Sequence, residues 1–204
     1  MASEQDRKNV IDRIQREELA QLTKDLVDIP SPTGSEKAIG EFILSWYSRH
    51  GIKALRQEIS AERVNAVGIL DGRSNGVSLT INGHMDTSYT GTAEDGMFCR
   101  VLEPDSDLKG AVRDGKVFGL GASNMKSGLA AFMVAAKAIK ESGISLKGDL
   151  ILAAVAGEIS RTPIGPYQSE AYRGEGTGTI HLLTHGVQSD YAIVADRSGH
   201  SIVW

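Results

Sequence analysis

Residues 150–156 read LILAAVA, an unbroken run of seven apolar residues, and GEI follows at 157–159. A continuous apolar run of this length is typical of a β-strand that is buried on both faces. Tyr191–Ala195 predicts a second buried strand. The segment Met125–Glu141 instead has helical periodicity, and Thr177–Thr184 is also predicted to be helical. Helices that alternate with buried strands indicate an α/β fold.

The N-terminal half begins with two predicted helices. Leu19, Leu22 and Leu26 share one stripe of a helix that runs from about Arg13 to Asp28 and ends before Pro30. A second helix follows, with Ser35 as the predicted N-cap and Gly51 at the C-terminal end. Its apolar face consists of Ile39, Phe42, Ile43, Trp46 and Tyr47.

After Gly51 the period changes to that of short strands. Strands are predicted over Ile52–Ile59, Asn65–Leu70 and Val77–Asn82, and RDGK at 113–116 predicts a tight hairpin turn. The whole pattern predicts a three-layer α/β fold in which helices flank a central, largely parallel mixed sheet.

Composition and charge exclude several classes of protein. The formal net charge of −4 argues against a nucleic-acid partner, because no basic patch is available to neutralise phosphates. The polar N-terminus lacks an apolar signal region, and no run of about 18 apolar residues suggests a membrane span. The single cysteine, Cys99, rules out an internal disulfide and suits a reducing compartment. We therefore predict a cytoplasmic protein without a membrane partner.

Polar side chains follow four of the predicted strands. They are His84 and Asp86 after the third strand, Asn124 after the hairpin, Glu158 after the apolar run and Asp196 after the last strand. In open α/β sheets, sites collect at the carboxyl ends of the strands, so these side chains are expected to converge. Neutral imidazole combined with carboxylates is a ligand set that zinc prefers.

The spacing of His84 and Asp86 has its own physical meaning. In an extended chain, residues i and i+2 point to the same face. His84 could therefore bind a metal while Asp86 accepts a hydrogen bond from its other ring nitrogen and fixes the tautomer. A His-x-Asp pair alone also occurs by chance in ordinary turns, so its context must support the assignment.

The order of the motifs resembles one family closely. GHMDT at 83–87 follows a strand, GLGASNMKSGLAA at 119–131 opens a helix, and GE at 157–158 follows an apolar strand. This arrangement resembles the co-catalytic zinc hydrolases that include aminoacylase, acetylornithine deacetylase, succinyl-diaminopimelate desuccinylase and glutamate carboxypeptidase. The resemblance runs from IPSPTG at 29–34 to Asp196, and it implies a zinc-exopeptidase-like fold.

The resemblance also implies roles for the residues at the strand ends. His84 and Asp196 would bind a first zinc, with Asp86 orienting His84, and position 124 would carry a bridging aspartate. Glu158 would be the general base that activates the attacking water. Position 159 would be a glutamate that binds a second zinc. The substrate would be a small molecule, an N-acyl amino acid or a short peptide.

The sequence departs from the family pattern at two of these positions. Position 124 is Asn, which is neutral and offers one good ligating oxygen, and position 159 is Ile, which offers none. Two dications about 3.5–4 Å apart need anionic charge between them. We therefore expect one zinc to bind, with Asn124 or a histidine beyond residue 204 as the third ligand, and a second zinc to bind weakly or not at all.

The resemblance further implies that part of the domain is missing. Residues 1–200 correspond to the N-terminal part of a catalytic domain, and SIVW at 201–204 resembles the start of a further segment. In the family a lid domain with a final histidine follows, and it can form a homodimer. The 204-residue chain alone is therefore expected to lack full activity.

Alternative interpretations of the same residues are weaker but remain open. GASNM at 121–125 lacks the last glycine of a serine-hydrolase motif, and GLGASN at 119–124 lacks the third glycine of a dinucleotide motif. Asn124 could be a helix N-cap, and Glu158 and Asp196 could be ordinary solvated carboxylates. His181 and His185 have metal-binding spacing, but no glutamate accompanies them, which favours a surface pair. The serious alternative is a non-enzymatic relative with a degenerate metal site.

Overall fold

The computed structural model of the chain describes residues 3–89, 109–159 and 173–196. Five α-helices lie in these ranges: α1 (Glu4–Ile11), α2 (Arg16–Val27), α3 (Lys37–Arg49), α4 (Ser127–Ser142) and α5 (Thr177–Thr184). The strands are β1 (Lys53–Ser60), β2 (Arg63–Leu70), β3 (Leu79–His84), β4 (Ala111–Arg113), β5 (Lys116–Phe118), β6 (Leu150–Val155) and β7 (Tyr191–Val194). Cys99 and residues 201–204, which are predicted to start a further segment, lie outside the described ranges.

The main sheet is mixed, with strand order β1-β2-β6-β3-β7. Strands β6, β3 and β7 pair in parallel, whereas β2 is antiparallel to both β1 and β6. Four of the five strands therefore run in the same direction, and β2 alone opposes them. Strands β4 and β5 form a separate hairpin, and its turn residues Asp114 and Gly115 have φ of 49° and 70°.

The central strand β6 separates two apolar layers. Its alternate residues Leu150, Leu152 and Ala154 pack in one cluster with residues of α2, α3 and α4. The intervening residues of β6 pack on the opposite face with Leu182 of α5. All six residues of β6 are buried, as the apolar run predicts. The predicted three-layer α/β fold is confirmed.

Several predicted boundaries are wrong. Helix α1, whose N-cap Ser3 forms a capping box with Asp6, was not predicted. The N-cap of α3 is Glu36, not Ser35, and no side chain caps this helix end, since the Glu36 carboxylate instead accepts hydrogen bonds from Arg63. Strand β3 extends to His84, two residues beyond the predicted end. At the end of α3, Gly51 has a φ of 67°, in agreement with the prediction.

Strand β7 differs from the prediction in burial. Tyr191, Ile193 and Val194 are 63%, 53% and 66% exposed, although the apolar run predicts a buried strand. The strand lies at the edge of the sheet, and α5 packs on β1, β2 and β6. An apolar run alone cannot distinguish an edge strand from a central one. Within the described ranges, every helix is too short or too polar to cross a membrane.

Candidate metal centre

His84 is the last residue of β3 and its side chain is 2% exposed. Its Nδ1 atom lies 3.0 Å from the Asp86 carbonyl oxygen and 3.2 Å from Asp86 Oδ1. Its Nε2 atom lies 2.9 Å from Asn124 Oδ1 and 3.8 Å from Glu158 Oε2. Both ring nitrogens thus face oxygen acceptors, and in the hydrogen bond to the Asn124 amide oxygen Nε2 is the donor. Because Asp86 holds Nδ1, Nε2 is the atom that would bind a cation, after losing its proton and its hydrogen bond to Asn124.

Asp86 is held by donors from two other parts of the chain. The Thr33 hydroxyl donates to Oδ2 at 2.8 Å, and the backbone N–H groups of Glu158 and Ile159 donate to Oδ1 and Oδ2 at 3.0 Å each. Burial raises the pKa of Asp86, but the contact with His84 and the backbone donors outweigh burial, so the pKa lies below its usual value. Asp86 is therefore a fixed carboxylate that can orient His84.

We expect the metal-free chain to be most stable in acid to near-neutral solution. Burial lowers the pKa of His84, but Asp86 outweighs it and the pKa is raised. The His84 contribution to stability is therefore complete below roughly pH 6.5 and is lost as the pH rises through the raised pKa. The Asp86 contribution is present above about pH 3.9 and is lost as the pH falls through the lowered pKa.

Urea unfolding at a series of pH values, with a chelator present, measures this dependence. In Asp86→Asn the negative partner of His84 is absent. The loss of unfolding free energy at high pH and the loss at low pH should therefore both be smaller. An identical pH profile of the unfolding free energy in the two proteins would contradict the pairing.

Asn124 lies in a π-helical turn, Ala122–Lys126, that leads into α4. Its backbone is non-helical, with φ −132° and ψ 98°, and the bond to Met125 is cis. The N-cap of α4 is Lys126, so the alternative that Asn124 caps this helix is wrong. Its side-chain oxygen instead contacts His84 Nε2. The structure thus brings the predicted ligand Asn124 into contact with His84, and its role as a ligand stays a prediction.

Glu158 follows β6 and reaches the same group of atoms. Its side chain is 49% exposed, and Oε2 is turned towards His84 Nε2. The backbone N–H donates to Asp86, while the backbone carbonyl accepts from Glu175 at 3.0 Å. Glu158 therefore combines a fixed backbone with a carboxylate that solvent can reach.

Asp196 lies on the neighbouring strand end. Asn82 of β3 pairs with Val194 of β7, and the Ala195 N–H donates to the Asn82 carbonyl at 2.8 Å. His84 and Asp196 each lie two residues beyond this pair, so the register places them at the same level of the sheet edge. The Asp196 side chain is exposed. In the described part of the chain, no three His, Cys, Asp or Glu side chains gather at metal-binding distance.

The loop 156–159 that carries Glu158 is packed between two segments. On the side opposite Asp86, the carbonyls of Ala156 and Gly157 accept hydrogen bonds from Gly178 and Thr177 at 2.8 and 3.0 Å. A Cβ atom on Gly178 would lie 2.2 Å from the Ala156 carbonyl oxygen. Glycine is therefore needed for segment 173–178 to approach this loop. This packing was not predicted from the sequence.

Gly157 is expected to tolerate no side chain. Its φ is 64°, and a Cβ atom would lie 2.0 Å from Nη2 of Arg63. Gly157→Ala should lower the free energy of unfolding by about 2–4 kcal/mol, combining backbone strain with overpacking. Gly143, with φ 74° and open space around its Cβ position, is the matched control.

Gly143→Ala should cost only the backbone part, about 1–2 kcal/mol. Urea unfolding of both variants gives the comparison. Equal losses in the two variants would mean that Arg63 does not confine Gly157.

Lys126 is buried behind the site, although the sequence suggested only a charge in the first turn of a helix. Its side chain is 1% exposed, and Nζ donates to the Ile29 carbonyl at 2.7 Å. Burial lowers the pKa of Lys126 to about 8. It ties the turn that carries Asn124 to the loop before Thr33. By contrast, His181 of α5 and His185, which directly follows this helix, stack on each other with ring centroids 3.7 Å apart.

The donor set fits one cation better than two. His84 Nε2 and Asn124 Oδ1 are neutral donors, and Glu158 is the carboxylate nearest to them among the contacts described above. The Ile159 side chain offers no donor. Without a carboxylate at position 124 or 159, the site does not provide the charge that a closely spaced metal pair requires.

Residues 80–181 match the model of peptidase family M20/M25/M40. The chain is 31% identical over 188 residues to N-formyl-4-amino-5-aminomethyl-2-methylpyrimidine deformylase of Bacillus subtilis, an alignment that covers 90% of this chain and 39% of that protein. The chain therefore spans well under half the length of this relative.

Solved structures share the fold. A tripeptidase from Staphylococcus aureus matches with a TM-score of 0.65 and 23% identity, over 92% of this chain and 45% of that one. A dinuclear metal-binding peptidase of the M20 family from Bacillus subtilis matches with a TM-score of 0.57 and 15% identity, over 88% and 41%. The fold and the matched relatives define a family of hydrolases that includes metallopeptidases. The chain belongs to peptidase family M20/M25/M40.

Proposed function

We propose that this chain is the metal-binding part of a hydrolase that cleaves amide bonds in N-acyl amino acids or short peptides. One observation carries the proposal: Asp86 contacts Nδ1 of a buried histidine, while Nε2 of the same ring faces Asn124 and Glu158. In this arrangement a cation could replace the hydrogen bond between Nε2 and Asn124, beside the Glu158 carboxylate. Zinc is the ion that this donor chemistry favours.

The proposed roles of the residues follow from their positions. His84, Asn124 and Asp196 would hold one zinc ion. A bound zinc would polarise the acyl oxygen and lower the pKa of the attacking water. Glu158 would accept a proton from that water as its oxygen attacks the carbonyl carbon, and would donate the proton to the amine nitrogen as the C–N bond breaks. Asp86 would keep the His84 ring in one tautomer.

The substrate class is inferred as acyl groups on amines rather than longer peptides. The relative that is 31% identical is a deformylase, which removes a one-carbon acyl group from an amine. The peptidases among the solved structures are less than 25% identical, so they support the fold alone. Deacylation is therefore the activity to test first. The cytoplasmic location and the homodimer through a lid domain stay predictions.

A second candidate is a non-enzymatic relative with a degenerate metal site. Asn124 and Ile159 favour it, since both remove ligands of the two-metal arrangement. The position of Glu158 argues against it, because its carboxylate lies 3.8 Å from His84 Nε2 and remains open to water. A general base has little value without a water to activate.

The proposed activity is tested with N-formyl, N-acetyl and N-succinyl amines and with a tripeptide. The assay uses the zinc-loaded chain and a chimera in which the chain replaces the aligned part of the Bacillus subtilis deformylase. We expect the chimera to hydrolyse at least one acyl substrate faster than the tripeptide, and a chelator to abolish the activity. A chimera that binds zinc but hydrolyses none of the substrates would favour the non-enzymatic candidate.

A further inference from the structure

A buried ion pair lies behind the loop that carries Glu158. Arg63 Nε and Nη2 donate to the two carboxylate oxygens of Glu36 at 2.9 Å each. The two side chains are 2% and 0% exposed. Arg63 is the first residue of β2, and Glu36 precedes α3, so the pair joins two elements that are distant in the chain. Neither residue was a candidate in the sequence.

Stability alone does not account for this pair. Burying two charges costs about as much as their attraction returns, and apolar replacements are often as stable. The Arg63 guanidinium, however, makes contacts that an apolar side chain could not make. Its Nη1 donates to the Arg173 carbonyl at 2.7 Å. Its Nη2 also lies close to Gly157: a Cβ atom on residue 157 would be only 2.0 Å from Nη2.

These contacts place Arg63 between the two segments that enclose the Glu158 loop. Residue 157 lies against the guanidinium, and Arg173 begins the segment whose N–H groups donate to the carbonyls of Glu158 and Gly157. On the other side of the loop, the N–H groups of Glu158 and Ile159 donate to Asp86. A displacement of Arg63 would therefore move the Glu158 loop in two ways, through its contact with Gly157 and through its hydrogen bond to Arg173.

We propose that Arg63, held by Glu36, is a positioning residue that sets where the Glu158 loop lies relative to Asp86 and His84. Glu36 fixes the guanidinium plane through two parallel hydrogen bonds, which leaves Nη1 directed at Arg173. Lysine could satisfy the charge of Glu36 but could not make these bonds at once, because it carries a single nitrogen. The catalytic meaning of this role rests on the proposed function, whereas the structural role does not.

The test is backbone amide hydrogen exchange in the metal-free chain. The double variant Glu36→Gln/Arg63→Met removes both charges together and leaves no unpaired buried charge. We expect the Glu158 and Ile159 amides to exchange about tenfold faster relative to the amide of Leu152 in β6, because their hydrogen bonds to Asp86 open locally. Arg63→Lys keeps the charge opposite Glu36 and should show the same faster exchange of the Glu158 and Ile159 amides. It replaces the double variant in this test if the double variant does not fold.

Two control variants separate positioning from general destabilisation. Phe132→Leu, in the α4 core, should speed exchange of loop and β6 amides together. Arg56→Met removes an exposed arginine that pairs with Glu41 and Glu58. It should leave the exchange of both the loop amides and the β6 amides unchanged. The proposal is overturned if the Glu158 and Ile159 amides keep their protection relative to Leu152 in the folded variants, or lose it only in step with β6.

The same variants also separate this proposal from the proposed function. In the deformylase chimera, Arg63→Lys should lower kcat while KM and zinc content stay unchanged, since the ligands are intact. If the chimera is inactive, the proposed function fails but the exchange result still stands. If exchange is unaltered while activity exists, the positioning role fails and the proposed function remains.

Discussion

Replacing Glu158 by glutamine is expected to lower kcat for amide hydrolysis by about 10²–10⁴-fold, the usual contribution of a general base. Glutamine keeps the size of the side chain and the backbone N–H that donates to Asp86. It cannot accept the proton of the attacking water. The metal ligands are unchanged, so zinc content should equal that of the parent protein. The measurement is steady-state kinetics on the acyl substrate that the deformylase chimera hydrolyses best.

Glu17→Gln in the first turn of α2 is the matched control, because it makes the same chemical change at an exposed position. It should leave kcat unchanged. A Glu158→Gln protein that retains half or more of the parent kcat would remove Glu158 from the reaction. A parallel loss of zinc would instead show that Glu158 acts as a ligand.

Restoring two carboxylates is expected to raise the zinc content from one to two ions per chain. Asn124→Asp supplies an anionic group next to His84 Nε2, which the Asn124 oxygen now contacts at 2.9 Å. Ile159→Glu supplies the second carboxylate, while the Ile159 N–H keeps its bond to Asp86. Two dications about 3.5–4 Å apart repel strongly, and added negative charge reduces that repulsion. Elemental analysis after dialysis against zinc counts the ions.

Asn124→Asp with Ile159→Gln is the control for this variant, because it has similar side-chain volume and one carboxylate fewer. It should bind the second zinc more weakly than the variant with both carboxylates. A parent chain that already holds two ions would contradict the account of Asn124 and Ile159. A double variant that still holds one ion would show that the second site lacks more than these two ligands.

Much of the fold could be predicted because its signals are local. The apolar run of β6, the Asp114-Gly115 turn and the helix Thr177–Thr184 each depend on neighbouring residues, and the structure confirms all three. Errors arose where tertiary packing decides the outcome. Strand β7 has the composition of a central strand but lies at the edge of the sheet.

The candidate site was predictable for a different reason. Strands that run in the same direction bring their carboxyl ends to one edge, so His84 at the end of β3 and Glu158 after β6 could be grouped from chain order alone. Asn124 follows the separate β4–β5 hairpin, so the family motif, rather than the sheet order, placed it with them. The side chains that hold these residues in place could not be predicted from chain order. Thr33 and the Arg63–Glu36 pair act across distances of 27 residues or more. No local pattern reports a buried contact of that kind.

The metal centre at His84 is tested by the zinc stoichiometry of the purified chain and of His84→Ala. After dialysis against trace zinc, we expect close to one ion per chain in the parent protein and none in His84→Ala. Circular dichroism of both proteins is the control that each is folded. Equal zinc content in the two proteins, or no zinc in either, would contradict a metal centre built on His84.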